Sequence, residues 1–161
     1  GYIGPIPVPI IITLLILGIS CYLFYKTKFG RYTVSIGSNE EAAKLVGINV
    51  DKIKILVFVL SGVFCAIAGV ILASRSEAAI PTAGNAYEMD AIAATVIGGT
   101  SMSGGKGNMF GTALGAILMA TIKNGLSLLN VNTFWHQVVI GLFILFAVAL
   151  DGFATKKAEK E

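Results

Sequence analysis

Charge is what this sequence has least of. Lys and Arg number 12 and Asp and Glu 9 among 161 residues, 13% of the chain, where a soluble domain usually carries about a quarter. A soluble fold of this size would lack the charge to cover its surface. Cysteine is scarce too: Cys21 and Cys65 are the two present. That excludes a disulfide framework, and their spacing is not that of a metal site, so both read as small apolar side chains. His136 is the single histidine. It sits beside Trp135 with no serine, cysteine or carboxylate suggested as a triad partner, and reads as an interfacial structural residue. No nucleophile–base pair or metal cluster supports a membrane enzyme, and no cofactor is indicated.

What is present is apolar and clustered. Hydrophobic residues make up 55% of the chain and mean hydropathy is +0.81. Gly1 to Tyr25 contains no Asp, Glu, Lys or Arg, and Ile55 to Ser74 is a second uncharged run. Each is long enough to span, because a bilayer core needs roughly 20 apolar residues of helix. A first span is expected from about Val8 to Tyr25, after Gly4, Pro5, Pro7 and Pro9, which suit an interfacial approach. The second is Ile55 to Ser74, where Gly62, Ala66, Gly69 and Ala73 form a small-residue stripe that predicts close helix packing. Ala91 to Ile97 is too brief to cross alone. Met109 to Leu129 carries Gly111 and Gly115, a GxxxG pair, with Lys123 near its end placed to snorkel. Phe134 to Leu150 is the last span.

Between the spans, Lys26 to Lys54 is polar and holds Lys26, Lys28, Arg31, Lys44, Lys52 and Lys54. By the positive-inside tendency it is cytoplasmic, as is the tail with Lys156, Lys157 and Lys160. The net charge of +3 is therefore read as an orientation signal and not as a nucleic-acid patch. Arg75 to Tyr87, with Pro81, Gly84 and Asn85, reads as an outer loop. These assignments predict an all-α, polytopic transmembrane bundle of about five crossings, one of them short and glycine-broken, with Gly1 outside and the tail inside.

Three segments stand out from that frame. Ser38 followed by Glu41 is a capping box, and Gly47 is placed to end the short helix it opens, so residues 36–50 hold an independent helix between two spans. Glu88 and Asp90 stand at the start of a membrane-entering helix. Either they cap it or they accept hydrogen bonds from a ligand near the outer mouth or pair with Arg75. The run Gly98, Gly99, Thr100, Ser101, Met102, Ser103, Gly104, Gly105, Lys106 and Gly107 makes residues 88–108 a broken helix and glycine-rich loop. It is either a flexible cytoplasmic turn or a pathway lining of backbone groups and the Thr100, Ser101 and Ser103 hydroxyls. Gly104-Gly105-Lys106 is not a phosphate-binding loop, since Thr100 and Gly107 stand where that pattern needs Gly and Ser or Thr.

Glu41-Ala42-Ala43 with Gly47 resembles the Glu-Ala-Ala loop by which permeases of ATP-binding-cassette importers contact their ATPases. Tyr87-Glu88-Met89-Asp90-Ala91-Ile92-Ala93-Ala94 and the Gly98 to Gly107 run resemble the signature of the ribose and galactose type permeases. Pro81-Thr82-Ala83-Gly84 is most like the ribose branch, and Val131-Asn132 through Asp151 is closer to the galactoside branch. Branched-chain amino acid permeases are more distant relatives in this resemblance.

The resemblance implies the C-terminal half of a sugar-importer transmembrane domain in a bacterial plasma membrane, a transport subunit without enzymatic chemistry. Its implied partners are ABC ATPase subunits, an extracytoplasmic sugar-binding protein, a second permease copy or homologue, and the bilayer. Glu40, Glu41, Ala42, Ala43 and Gly47 become the expected ATPase-coupling residues. Tyr87, Glu88, Asp90, Gly98, Gly99, Thr100, Ser101 and Ser103 become candidates for the substrate pathway, where an aromatic face such as Tyr87 or Trp135 can pack a sugar ring.

Overall fold

Hydrocarbon offers no partner to a backbone amide, so each apolar run must satisfy its own peptide groups, and a helix does this. The computed structural model describes residues 2–3, 6–76, 82 and 84–158 and divides after Asn85 into two compact units.

In the first unit a two-residue antiparallel pairing, Tyr2–Ile3 with Ile6–Pro7, precedes helix α1, Val8–Lys26. Pro9 lies in the first turn of α1, where its missing N–H would be unpaired anyway. Thr27 is extended, and α2, Lys28–Ser38, folds back against the end of α1. Gly30 permits this: a Cβ there would lie 1.9 Å from the Phe24 carbonyl oxygen. The half-buried face of α2 carries Phe29, Tyr32, Thr33 and Ile36, and Lys28, Arg31, Ser35 and Ser38 are exposed. Helix α3, Glu40–Leu45, is one short step further on, and α4, Val50–Ser76, is 27 residues long. It rises about 40 Å and exceeds a bilayer core of about 30 Å.

The second unit consists of α5, Tyr87–Ile97, α6, Met109–Leu128, and α7, Thr133–Ala158. Helices α5 and α6 form an antiparallel hairpin whose backbones touch. A Cβ on Gly111 would lie 1.9 Å from the Gly98 oxygen, and one on Gly115 would lie 2.1 Å from the Ala94 oxygen. Ala93, Ala94, Met119 and Ile140 form the buried core, with Ile97, Ile122 and Ile144 packed against it. Lipid tails are as apolar as these side chains, so the gain comes from dispersion contacts at short range, and small residues make the short range available.

The expected all-α architecture is present. Helices α1, α4 and α6 are long and apolar enough to cross a membrane, and α7 contains a shorter apolar stretch, Trp135–Phe146. At 11 residues, α5 rises about 17 Å, half a bilayer core, in keeping with a short broken helix.

Three expectations need correction. The polar stretch 26–54 is largely helical, because positions 29, 32, 33 and 36 recur at helical spacing and give α2 a half-buried packing face. Asn49 caps α4 through the Lys52 N–H at 3.1 Å, so that helix starts five residues before Ile55. The last helix does not stop at Leu150 but continues to Ala158, through a segment without proline. The stripe on α4 has no neighbour at Gly62 or Gly69 within 4 Å among the described residues. Pro81 and Ala83 in the expected outer loop, and Lys160 in the tail, lie outside the described residues.

The hairpin contact makes a direct prediction. Gly115→Ala places a methyl against the Ala94 carbonyl and should destabilise the chain by about 1–3 kcal/mol. Gly125→Ala, which meets nothing within 4 Å, should be neutral or stabilise by up to about 1 kcal/mol. Unfolding of the two variants in detergent micelles, followed by circular dichroism, measures both.

Candidate functional site

The short helix in the first unit is held at both ends by side chains and backbone that the sequence supplies locally. Asn39, not Ser38, is the N-cap of α3; its Oδ1 accepts from the Ala42 N–H at 3.0 Å. Ser38 instead ends α2, which leaves no room for the Ser38–Glu41 capping box. At the other end Gly47 has φ +82, its N–H donates to the Lys44 carbonyl at 3.0 Å, and the Ile48 N–H donates to the Ala43 carbonyl at 3.1 Å. This paired closure needs a left-handed residue, which glycine supplies without strain.

The two glutamates of this helix have different surroundings. Glu40 is bonded by Lys54 of α4 at 2.6 Å and by Lys44 at 2.9 Å. The Lys54 ammonium, and then that of Lys44, hold the Glu40 carboxyl down at about 2, against an ordinary 4.5. Glu40 in turn raises Lys44 above its ordinary value. Glu41 is exposed and makes no ion pair or hydrogen bond among the described residues. Ala43 is buried at 1% exposure, while Leu45 and Val46 are exposed at 87% and 74%, an apolar pair at the helix end facing outward. Among the expected coupling residues, then, Glu40 and Ala43 hold α3 to its own unit, and Glu41 with the exposed Ala42 is presented outward.

In the second unit the pathway candidates separate to the two ends of α5. At the loop end, Gly99 has φ +83 and closes the helix through Val96, and the Thr100 N–H donates to the Thr95 carbonyl. The Thr100 hydroxyl accepts from the Asn108 N–H at 3.3 Å and lies 3.3 Å from the Thr112 hydroxyl, whose own hydrogen goes to the Asn108 carbonyl. Asn108 caps α6 through the Gly111 N–H at 3.0 Å. The Ser101 N–H donates to the Lys106 carbonyl at 3.2 Å. This segment is therefore a folded knot, in which Thr100 is committed to internal bonds and Ser103 is exposed.

At the opposite end, Asp90 forms an ion pair with Lys123 of α6, and the Lys123 ammonium lies 5.2 Å from the centre of the Tyr87 ring. Lys123 thus does not snorkel away, because a carboxylate across the hairpin holds it. The N-cap position of α5 is Ala86, with no side-chain cap, so neither Glu88 nor Asp90 caps the helix. Glu88 is exposed. Tyr87, Asp90 and Lys123 form the polar mouth of a cleft of about 270 Å³, otherwise lined by Ala91, Ala94, Ala116, Met119 and Ala120.

The family model described as branched-chain amino acid transport system / permease component matches residues 2–148. This chain belongs to that permease family. It is 50% identical over 151 residues to the ribose import permease protein RbsC of Bacillus subtilis, a match covering 94% of this chain and 47% of that protein. It is 49% identical over 153 residues to the xylose transport system permease protein XylH of Haemophilus influenzae, covering 95% and 40%. The ribose import permease protein of Escherichia coli is 44% identical over 146 residues, covering 91% and 46%. The chain spans about half the length of the curated relatives it matches, and no solved structure matches it.

The permease is a multi-pass membrane protein by family and by its apolar helices. Sequence reasoning named Lys54 as an orientation charge and Lys123 as a snorkelling residue, and missed the ion pairs that each forms. The signal for Lys123 was its place three turns past Gly111 on the helix face that meets α5. Lys54 lies a turn into α4, whose first residues are hidden by the charges of Asp51, Lys52 and Lys54.

The depressed Glu40 carboxyl gives a pH prediction. A lowered folded value means that the α3–α4 clamp is present above the ordinary carboxylate range and is lost only as pH falls through about 2. The carboxyl carbon of labelled Glu40 should titrate well below pH 4, and Lys54→Met should move its midpoint back toward 4.5. NMR titration of the two proteins measures the difference.

Proposed function

We propose that this chain is part of the permease subunit of an ATP-driven monosaccharide importer, moving a pentose-like sugar by alternating access while partner ATPases supply the energy. The near-half identity to the ribose and xylose permeases over more than nine-tenths of the chain carries the reading. In this account residues 36–50 are the cytoplasmic coupling loop, residues 88–108 contribute to the pathway, and residues 152–161 are the cytoplasmic tail. Gly1 is then outside. Ten of the 12 basic residues face the cytoplasm, with Arg75 and Lys123 the exceptions. The partners are ABC ATPase subunits, an extracytoplasmic sugar-binding protein and a second permease copy or homologue.

The chain performs no bond chemistry in this role. Its task is to bind ATP-loaded and ATP-free partners with different affinity, since only a differential interaction shifts a conformational equilibrium. Glu41, Ala42 and the exposed Leu45 and Val46 form the docking face. Glu40 links that face to α4 through Lys54, so a push on α3 reaches a spanning helix. The family's description favours a second reading, in which the solute is a branched-chain amino acid.

Co-purification of the complete permease with its ATPase tests the docking face. Glu41→Lys should lose the complex, by tenfold or more in affinity for a reversed charge at a packed contact, while membrane insertion is retained. Gly47→Val, which strains the helix end, should weaken it as well. Full binding by both variants would return the loop to a structural role.

A further inference from the structure

The joint between α1 and α2 carries cations that neither the coupling loop nor the pathway segment employs. Residues 1–39 contain no Asp or Glu, and their basic residues, Lys26, Lys28 and Arg31, fall together at that joint. All three are exposed and form no ion pair among the described residues. The first acid in the chain, Glu40, is already engaged by Lys44 and Lys54. On α2 the exposed residues Lys28, Arg31, Ser35 and Ser38 recur at intervals of three and four, which places them on one face, while Phe29, Tyr32, Thr33 and Ile36 lie half-buried on the other side. The level of this basic face follows from α1. Its 19 apolar residues rise about 28 Å, close to a bilayer core of about 30 Å, so Lys26 stands where hydrocarbon gives way to headgroups. Tyr22 and Tyr25 are exposed in the last turns of α1, as aromatics are at that boundary.

We propose that this face binds the headgroups of anionic phospholipids in the leaflet at the Lys26 end of α1. Lys26 and Lys28 supply point charges, Arg31 a guanidinium fork matched to two phosphate oxygens, and the Ser35 hydroxyl a neutral donor one turn further along α2. Charge selects the class. A zwitterionic lipid brings its own ammonium beside the phosphate and gains little from three cations, whereas a headgroup with net negative charge gains from each of them. An acidic surface of a partner ATPase is the competing occupant, and two observations favour lipid. The cations begin at the end of a span, at headgroup depth, and the helix proposed to meet the ATPase, α3, presents an exposed acid, Glu41. The inference rests on α1 crossing the bilayer and holds whatever solute the permease moves.

The test uses the complete permease in phosphatidylcholine vesicles, with Cys21→Ser, Cys65→Ser, any cysteine elsewhere in the permease likewise replaced, and a fluorophore attached at Ser38→Cys. Phosphatidylglycerol or phosphatidylcholine carrying a nitroxide high on its acyl chain is then titrated into the bilayer, and quenching of the fluorophore reads how often each lipid lies beside α2. The phosphatidylglycerol form should quench at a mole fraction about tenfold lower or less. Replacing Lys26, Lys28 and Arg31 by Gln in succession should reduce that preference by up to about fivefold at each step, while Lys26→Arg with Lys28→Arg should keep it. Equal quenching by the two lipids beside the unmutated face, or a preference unmoved by the three Gln substitutions, would overturn the proposal. Adding the ATPases to form the whole complex should leave the preference in place. Its loss on their addition would assign the face to protein and overturn the lipid assignment as well.

Discussion

The second unit depends on one contact: the backbone of α5 lying directly on the backbone of α6. Gly111 against the Gly98 carbonyl and Gly115 against the Ala94 carbonyl leave no space for a Cβ, so the two helices meet at the closest separation that peptide chains allow. That contact fixes the register of the hairpin. It brings Asp90 opposite Lys123 one to two turns further along, sets Met119 into the core beside Ala93 and Ala94, and leaves the alanine-lined cleft beside that pair. A carboxylate and an ammonium on apolar helices would each be costly alone; paired across the hairpin, they compensate one another and tie α5 to α6.

The first unit works by a different constraint, the closure of short helices at polar joints. Asparagines at 39 and 49 cap α3 and α4, and Gly47 closes α3 between them. The same closure recurs in the second unit at Gly99 and at Asn130, whose φ is +52. A six-residue helix is far below the length at which a helix is stable by itself, so α3 exists because its ends are fixed and because Ala43 is buried. Glu40 adds a link from this helix to Lys54 of α4. The proposed coupling role needs such stiffness: a load applied to a freely jointed helix would be dissipated in the joints before reaching a span.

Much of this was legible in the sequence because lipid imposes simple requirements. Uncharged runs marked α1 and α4, an apolar run whose single charge is Lys123 marked α6, and the spacing of Gly111 and Gly115 anticipated the close helix contact. The less legible features depended on competition between neighbouring residues. Ser38 and Asn39 are both good caps, and which one serves is decided by where α2 ends. Helix α2 was hidden by its charges and by Gly30 and Gly37, although Phe29, Tyr32, Thr33 and Ile36 already followed a helical period. Lys123 looked like a residue seeking the interface because its partner lies 33 positions away, beyond any local pattern. The stripe on α4 faces open space among the described residues, so the sequence signal for packing there has no counterpart within the unit.

ATP-driven movement of a neutral sugar is the proposed role on which the assignments of the coupling loop and the pathway segment depend. The direct measurement is uptake of radiolabelled D-ribose, D-xylose and L-leucine by proteoliposomes holding the complete importer and its binding protein, with and without ATP inside the ATPase-facing compartment. ATP-dependent accumulation of a pentose, with L-leucine excluded, is the result the account predicts. Accumulation of L-leucine, or pentose equilibration that proceeds equally well without ATP, would contradict it.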